Sequence, residues 1–537
     1  MSGGPFLFSS VPALSAPQRM SVRRIIRAGQ QTACTWHFRL DEPAWHEFVQ
    51  YLVDDPVVFV GLWCDGNEIY ALLNDGSTAE AGPRPLMASY TLEGPRYRGL
   101  SGVRAAAAPF ERMIRDLWGV EAMEASDTRP LIDHGAWTSA APLATRSVPS
   151  SPASGLAEFE PPDKRVAAHG MIFGRGPATG NTEGPVHFRL GVADGVIRTV
   201  ETRAGYAHRG ITARMREATL ASALHLAGRV GAGSAVAHQW AFSAAAENAL
   251  GIETQRSTNR CRVVFCETER IATHLLILAR TARAADAQIA ATGLYGLRER
   301  ILQLCEAATG HRLLMDCVCF GREAPECWQD NVTVREKLQA LCGELMSFSR
   351  SGMKELELLW RTIPGFRQRL QQAGRLSDAK ARALELQGVA GRACGHGSDL
   401  RTHLEAYDDA LFRPVVSSGG DALTRCDVMF EEISESFRIL ESISEQLLNS
   451  HDNGETGSGP AVVMLAEPCK GYAAIEGPHG PVWYVVSLQD GRVRQCYISD
   501  PASRLLMALE QSVPGTTPDN FDLVRCSFGI SIAAADL

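Results

Sequence analysis

RVGAGSAVAHQWAFSAAAENALGIE, residues 229–253, is the stretch that decides the fold. Ala235 to Leu250 is alanine-rich and is followed by Gly251, which predicts a helix closed by a glycine C-cap. The helical pattern continues downstream. Arg262 to Ala290 carries apolar residues at three- and four-residue steps, among them Ile271, Leu275, Leu276 and Leu278. Leu297 to Ala308 is another such run, ended by Gly310, and Val332 to Phe348, Asp378 to Leu386 and Ala422 to Leu448 follow. Upstream, His187 to Gly191 and Val196 to Glu201 flank the turn Ala193-Asp194-Gly195, a hairpin signal. The tail returns to strand at Gly471 to Glu476, Val482 to Leu488 and Arg492 to Ile498, with turns at Gly477-Pro478-His479-Gly480 and Gln489-Asp490-Gly491.

A second module precedes these. Trp45 to Leu52 has helical spacing, whereas Pro56 to Cys64 is β-branched and aromatic and reads as a buried strand. Glu68 to Leu73 is a further strand, and Pro109 to Trp118 a short helix ending at Gly119. Between the modules lies TSAAPLATRSVPSSPASGLAEFEPPDK, residues 138–164, a linker by composition. The expected class is α+β. A small α/β domain (1–137) and the linker (138–164) lead to a large, mainly helical bundle with peripheral β-hairpins (165–537).

Composition narrows the function classes. The chain has 537 residues, a formal charge of -8, 45% hydrophobic and 21% charged residues, close to ordinary globular proteins. No basic stripe points to nucleic acid. The apolar runs fall well short of the ~18–20 residues a membrane span needs, and Met1 to Met20 does not read as a secretory signal. A cytoplasmic chain is expected, reaching a membrane only through partners. The fourteen cysteines form no C-x-x-C pair, so most read as small buried hydrophobes. Cys317, Cys319 and Cys327 lie near one another, but their spacing is not that of a zinc site.

Several ordered motifs match one family. They are Gly184-Pro185-Val186-His187-Phe188, Gly205-Tyr206-Ala207-His208-Arg209-Gly210, the 229–253 stretch, Glu269-Arg270-Ile271-Ala272-Thr273-His274-Leu275, and His311 to Asp316. Together they resemble the complex I 49-kDa subunit and the large subunits of NiFe hydrogenases. Phe110 to Gly119 and Arg129 to Trp137 are similar to the complex I 30-kDa subunit. A fusion of both parts is the arrangement of group 4 membrane-bound hydrogenases of the formate hydrogenlyase and hydrogenase-4 type. The resemblance implies an oxidoreductase subunit of an electron-transport complex, with an iron–sulfur small subunit and antiporter-like membrane subunits as partners on the inner face of the cell membrane.

In those hydrogenases two C-x-x-C pairs hold nickel and iron, because soft anionic thiolates bridge both metals. The matching positions here are Gly231 and Ser234, then Ser531 and Ala534. The chain stops at Leu537, without the further peptide that maturation removes in many hydrogenases. Glycine and alanine have no donor atom, and a neutral serine is a poor soft-metal ligand. No Ni–Fe centre is therefore expected, and no cofactor in this chain. Iron–sulfur clusters, and any quinone, would be supplied by or shared with partner subunits.

The resemblance also singles out candidate cavity residues. His208 and Arg209 either face a quinone headgroup or pack the hairpin on the bundle. Arg229 either lines the former metal cavity or pairs with a carboxylate. His238 and Glu247 are nine residues apart on one helix and out of phase, so they do not share a ligand; Glu247 reads as a hydrogen-bonding group. Glu269, Arg270, His274 and Asp286 fall on one long helix, with Arg270 and His274 on one face, as a buried polar network would place them. Arg392, Asp399 and Arg401 match a family loop. Two functions follow: an electron-transferring subunit that keeps a quinone-type acceptor cavity, or a structural subunit that couples partners to a membrane arm. The complex I tyrosine that contacts quinone has no counterpart in Leu220 to Arg229, which holds His225. An active hydrogenase is the least favoured reading.

Overall fold

The computed structural model describes residues 21–53, 55–76, 82–144, 148–149, 163–178, 184–321, 334–350, 352–410, 412–449 and 468–537. The N-terminal module opens with α1 (Val22–Ala28), β1 (Gln30–Gln31), β2 (His37–Leu40), α2 (Glu42–Tyr51), β3 (Val58–Asp65), β4 (Glu68–Asn74) and β5 (Pro85–Thr91). Asp41 starts α2 by accepting from the Ala44 N–H at 2.9 Å. The five strands form one sheet in the order β1-β2-β5-β4-β3, antiparallel except for the parallel pair β2–β5. β6 (Arg96–Arg98), α3 (Ala108–Trp118) and β7 (Glu121–Met123) follow, and Gly119 ends α3 in the left-handed conformation, φ 68°. In the stretch read as a linker, β8 (Ser139–Ala140) pairs with β9 (Val148–Pro149); positions 145–147 and 150–162 lie outside the described residues.

The second module begins with α4 (Lys164–His169) and an antiparallel sheet of β10 (Met171–Arg175), β11 (His187–Ala193) and β12 (Val196–Arg203). Then come α5 (Ile211–Met215), α6 (Leu220–Ala227), α7 (Ala235–Leu250), α8 (Arg256–Ala284), α9 (Gln288–Thr309), α10 (Val334–Arg350), α11 (Gly352–Thr362), α12 (Phe366–Leu370), α13 (Asp378–Ala383), α14 (Gly388–Arg392) and α15 (Ala422–Asn449). A last antiparallel sheet, β13 (Cys469–Gly477), β14 (Gly480–Gln489) and β15 (Arg492–Ser499), is followed by α16 (Ala502–Ser512), α17 (Phe521–Phe528) and α18 (Ile532–Asp536). The architecture is α+β, as expected.

The alanine content of α7 has a packing reason. A Cβ on Gly471 of β13 would stand 2.2 Å from the Ala245 carbonyl oxygen and 2.3 Å from the Ala249 nitrogen. Helix and strand backbones therefore touch, which only small residues on both sides allow. The predicted bounds of α7 match the structure. The long helix is corrected: it starts at Arg256 and stops at Ala284, and Ala290 belongs to α9. Asp286 adopts φ 62° there, outside α8, and pairs with Arg369 at 2.7 Å. A left-handed aspartate ends the helix where no glycine marks it.

The two modules share a core. The N-terminal hydrophobic cluster is completed by Leu400, Ala474, Trp483, Val485 and Tyr497 from the second module. A bulge in β3 between Phe59 and Gly61 lets the strand meet β15, where a Cβ on Gly61 would lie 1.7 Å from the Tyr497 hydroxyl. The carbonyls freed by the bulge are met from α16 and β15. Buried Arg504 donates to Phe59 O at 3.1 Å and Val60 O at 2.7 Å, and Ser499 Oγ donates to Val60 O at 2.8 Å. Replacing Arg504 with Met should cost about 2–4 kcal/mol, because buried acceptors lose a charged donor. Urea unfolding measures the loss, and limited proteolysis should cut the N-terminal module before the helical one.

Candidate functional site

The turn that feeds α7 and the segment that ends in α18 meet. Ser234 N–H bonds to Gly231 O at 3.0 Å, and Ser531 caps α18 by accepting from Ala534 N at 3.3 Å. A Cβ on Gly231 would lie 3.1 Å from Ser531 Oγ, 3.5 Å from Ala534 Cβ and 3.5 Å from Ser234 Oγ. The four positions singled out from the sequence thus stand together, although 300 residues separate Gly231 from Ser531. Their donors are two neutral hydroxyls, and Ser234 Oγ is buried without a partner. Such a set does not fit a pair of soft metals that needs four anionic thiolates.

The loop from Gly205 to Gly210 clasps α18. Asp536, fully buried, accepts from Gly205 N at 2.6 Å and Ala207 N at 3.0 Å. His208 Nδ1 meets Asp536 O at 2.5 Å. Arg209 donates to Ala533 O at 2.5 Å, Val230 O at 2.9 Å and Arg229 O, so one guanidinium ties the α7 turn to α18. His208 and Arg209 therefore pack the loop, the second of their two readings.

His238 and His274 lie beneath the cluster. With Nε2–H donating to Asp500 Oδ2 at 3.2 Å, His238 Nδ1 accepts from the Tyr484 hydroxyl at 3.0 Å. His274 Nε2 bonds to Glu432 Oε2 at 2.9 Å, and burial lowers its pKa despite that carboxylate. Beside them His479, in a turn the sequence marked only as a hairpin, would lie 3.3 Å from a Cβ on Gly233; burial takes its pKa down to about 4. Glu269 accepts from Val236 N at 2.8 Å and Ala237 N at 3.2 Å, at the N-terminus of α7. Burial nevertheless pushes its carboxyl up to about 8, so it is protonated at neutral pH.

Two candidates are directed elsewhere. Arg229 makes a half-exposed bidentate pair with Asp316, the carboxylate alternative of its two readings. Burial pulls Asp316 upward, but Arg229 outweighs it and holds the carboxyl below its ordinary value. Glu247 is buried against Arg262 at 2.6 Å and 3.0 Å, with Ser243, Thr254 and the Gly321 N–H completing its shell. Neither lines the cluster, because each charge is spent on a nearer partner. Cys317, raised in the zinc reading, is a buried thiol pushed up to about 12, and Cys327 lies outside the described residues.

Arg270 and His274 belong to a buried ion network. Arg270 bonds Glu267 at 3.2 Å and the carbonyls of Glu476 and Gly477 at 2.6 Å and 2.9 Å. Arg401 joins Asp399 at 2.8 Å and Glu267 at 3.3 Å. Arg392 joins Asp399 at 2.9 Å, Glu432 at 2.7 Å and Glu476 at 2.9 Å. Three guanidiniums face four carboxylates, Glu267, Asp399, Glu432 and Glu476, all withdrawn from solvent. The excess is relieved at Glu476, which burial and neighbouring Asp399 push up to about 7. Glu432 goes the other way: Arg392 and His274 overcome burial and hold it well below its ordinary value.

Comparison with known proteins places this architecture. A family model described as the 49-kDa subunit of respiratory-chain NADH dehydrogenase matches residues 288–467, and the chain carries a complex I 49-kDa-like domain. Among relatives, an NADH-quinone oxidoreductase fusion subunit of Phocaeicola vulgatus is 28% identical over 313 residues, 58% of this chain and 58% of the relative. The chain thus spans less than two thirds of that relative. A shorter NADH-quinone oxidoreductase subunit, from Geobacillus thermodenitrificans, is 28% identical over 330 residues, 60% of this chain and 86% of the relative. In fold, the chain is similar to a component of the membrane-bound sulfane sulfur reductase, an archaeal respiratory membrane complex, with TM-score 0.59 at 19% identity, covering 69% of this chain and 99% of that one. The hydrogenase side of the resemblance rests on the sequence motifs.

The opposite shifts at Glu476 and Glu432 give a pH test. An unfolded Glu titrates near ~4.3. Between there and about 7 folded Glu476 keeps a proton that the unfolded chain loses, so its contribution falls as pH rises through that window and then levels. Glu476→Gln should be tolerated and should remove up to one proton's worth of slope, about 1.4 kcal/mol per pH unit. Glu432→Gln strips a partner from buried Arg392 and should cost ~3–5 kcal/mol, nearly constant from pH 5 to pH 8, because its depressed pKa lies below that range. Urea unfolding of the three proteins at pH 5, 6, 7 and 8 measures both effects.

Proposed function

We propose that the chain is the large hydrophilic subunit of a complex-I-related membrane complex, of the energy-converting-hydrogenase-related kind, working without a Ni–Fe centre. The observation that carries this is the meeting of Gly231, Ser234, Ser531 and Ala534 in one cluster, placed as metal-ligand positions would be but without a thiolate among them. The setting comes from the relatives, which are named as NADH-quinone oxidoreductase subunits. In this reading the chain docks on an iron–sulfur small subunit and on antiporter-like membrane subunits, at the inner face of the cell membrane. No helix among the described residues is long and apolar enough to cross a membrane, so attachment runs through those partners. Electrons reach a quinone-type acceptor from the partner's clusters. This chain's part is to hold protons for the acceptor, on Glu269 and Glu476.

A second reading, a non-catalytic coupling subunit, is favoured by the tightness of the same cluster, where 3.1 Å from a Cβ on Gly231 to Ser531 Oγ leaves little room for a ring. One preparation tests both. The tagged complex, isolated from detergent-solubilised membranes, should carry iron, acid-labile sulfide and antiporter-like polypeptides, with only traces of nickel. Stoichiometric nickel, or recovery of the chain alone, overturns the assignment. Glu269→Gln should lower reduction of a short-chain quinone roughly 100-fold in an assembled complex if this carboxyl hands a proton to the acceptor; unchanged turnover selects the coupling reading.

A further inference from the structure

A cavity of about 200 Å³ lies between the modules, walled by β3 and α3 on one side and by α5, β15 and α18 on the other. Its surface is mostly apolar, from residues such as Trp63, Phe110, Met113, Leu117, Tyr497 and Leu537. A dry apolar cavity of ~150 Å³ admits benzene, so this one has room for one or two fused rings. Ala534 is shared with the four-residue cluster, but Gly231, Ser234 and Ser531 do not line the cavity, whose wall comes largely from the N-terminal module, α5 and β15.

The polar groups in the wall define what the ring must carry. Trp63 is sandwiched between Tyr70 at 5.1 Å and Tyr497 at 3.9 Å, both nearly parallel to it, so only its edge is free. The indole N–H on that edge is buried without an acceptor. The Gln495 amide nitrogen, in the same wall, is also buried without one. The charged groups are already engaged. Asp65 pairs with Arg216 at 2.5 Å, and Arg216 also lies 5.8 Å from the Trp118 ring centre. Asp500 is held by His238 and by the Ala502 N–H at 2.8 Å. The wall therefore has donors to satisfy and no free charge. The two carboxylates disfavour an anion, and neither is free to pair with a cation. The half-exposed Arg216–Asp65 pair marks the solvent end.

We propose that this inter-module cavity binds a neutral compound of one or two fused rings bearing a carbonyl oxygen, which accepts from Trp63 and Gln495. The site is independent of the electron-transfer reading, since its test needs neither partners nor turnover. The probes are 1-tetralone and tetralin, which differ only in the carbonyl, titrated by calorimetry and ligand-observed NMR into the full chain. 1-Tetralone should bind about 5- to 10-fold more tightly than tetralin, the gain of one or two neutral hydrogen bonds. Trp63→Phe should erase most of that difference, and Ala213→Trp, which fills the cavity, should abolish both affinities. If Trp63→Phe does not fold, Gln495→Met removes the other donor and should narrow the difference. No binding to the wild type, equal binding of the two probes, or binding that survives Ala213→Trp overturns the proposal.

Discussion

Desolvated charge at the middle of α8 sets the terms for the helical module. Taking Arg270, Arg392 and Arg401 out of water is tolerable only if every guanidinium is met by carboxylates and carbonyls at short range. That requirement fixes where five separate elements stand: α8 with Glu267, the end of α14 with Arg392, the loop with Asp399 and Arg401, α15 with Glu432, and β13 with Glu476. A hydrophobic core of the same size would tolerate small slips of one helix past another. A network of bidentate ion pairs does not, because each slip strands a buried charge. The histidines under the cluster gain their positions from this frame: His274 through Glu432, and His479 through the turn between β13 and β14.

The cluster of Gly231, Ser234, Ser531 and Ala534 is held in place by contacts outside that network. The α7 turn is fixed by Arg209 and α18 by Asp536, and neither residue depends on a ligand in between. Scaffold and ligand set are thus separable in this molecule. The small side chains of the cluster let Ser531 approach Gly231 closely.

Much of this was legible in the sequence. The bounds of α7 could be read because alanine propensity and Gly251 point the same way. Two hairpins of the second module carried their turns at Asp194-Gly195 and Asp490-Gly491. The break at Asp286 was not legible, since an aspartate in a left-handed conformation looks like any other helical residue in a sequence. The four cluster positions were found only through resemblance; composition gives no sign that a glycine, two serines and an alanine come together. Glu476 and Glu432 could not be assigned opposite protonation from sequence, because each pKa depends on neighbours far along the chain. The inter-module cavity was hidden for the same reason: its walls come from strands more than 400 residues apart, and the unmet donor of Trp63 appears only once both tyrosines cover its faces.

The shared core also bears on synthesis. The N-terminal sheet leaves the ribosome first, yet Trp483, Val485 and Tyr497, which close its hydrophobic cluster, lie near the other end of the chain. At 5–20 residues per second, the roughly 350 residues between Ala144 and Tyr497 take about 20–70 s to appear. For that interval the nascent sheet keeps an apolar face and the edge of β3 uncovered. This makes the early chain a natural client for a chaperone, and it makes maturation of the first module wait on the last strands to be translated.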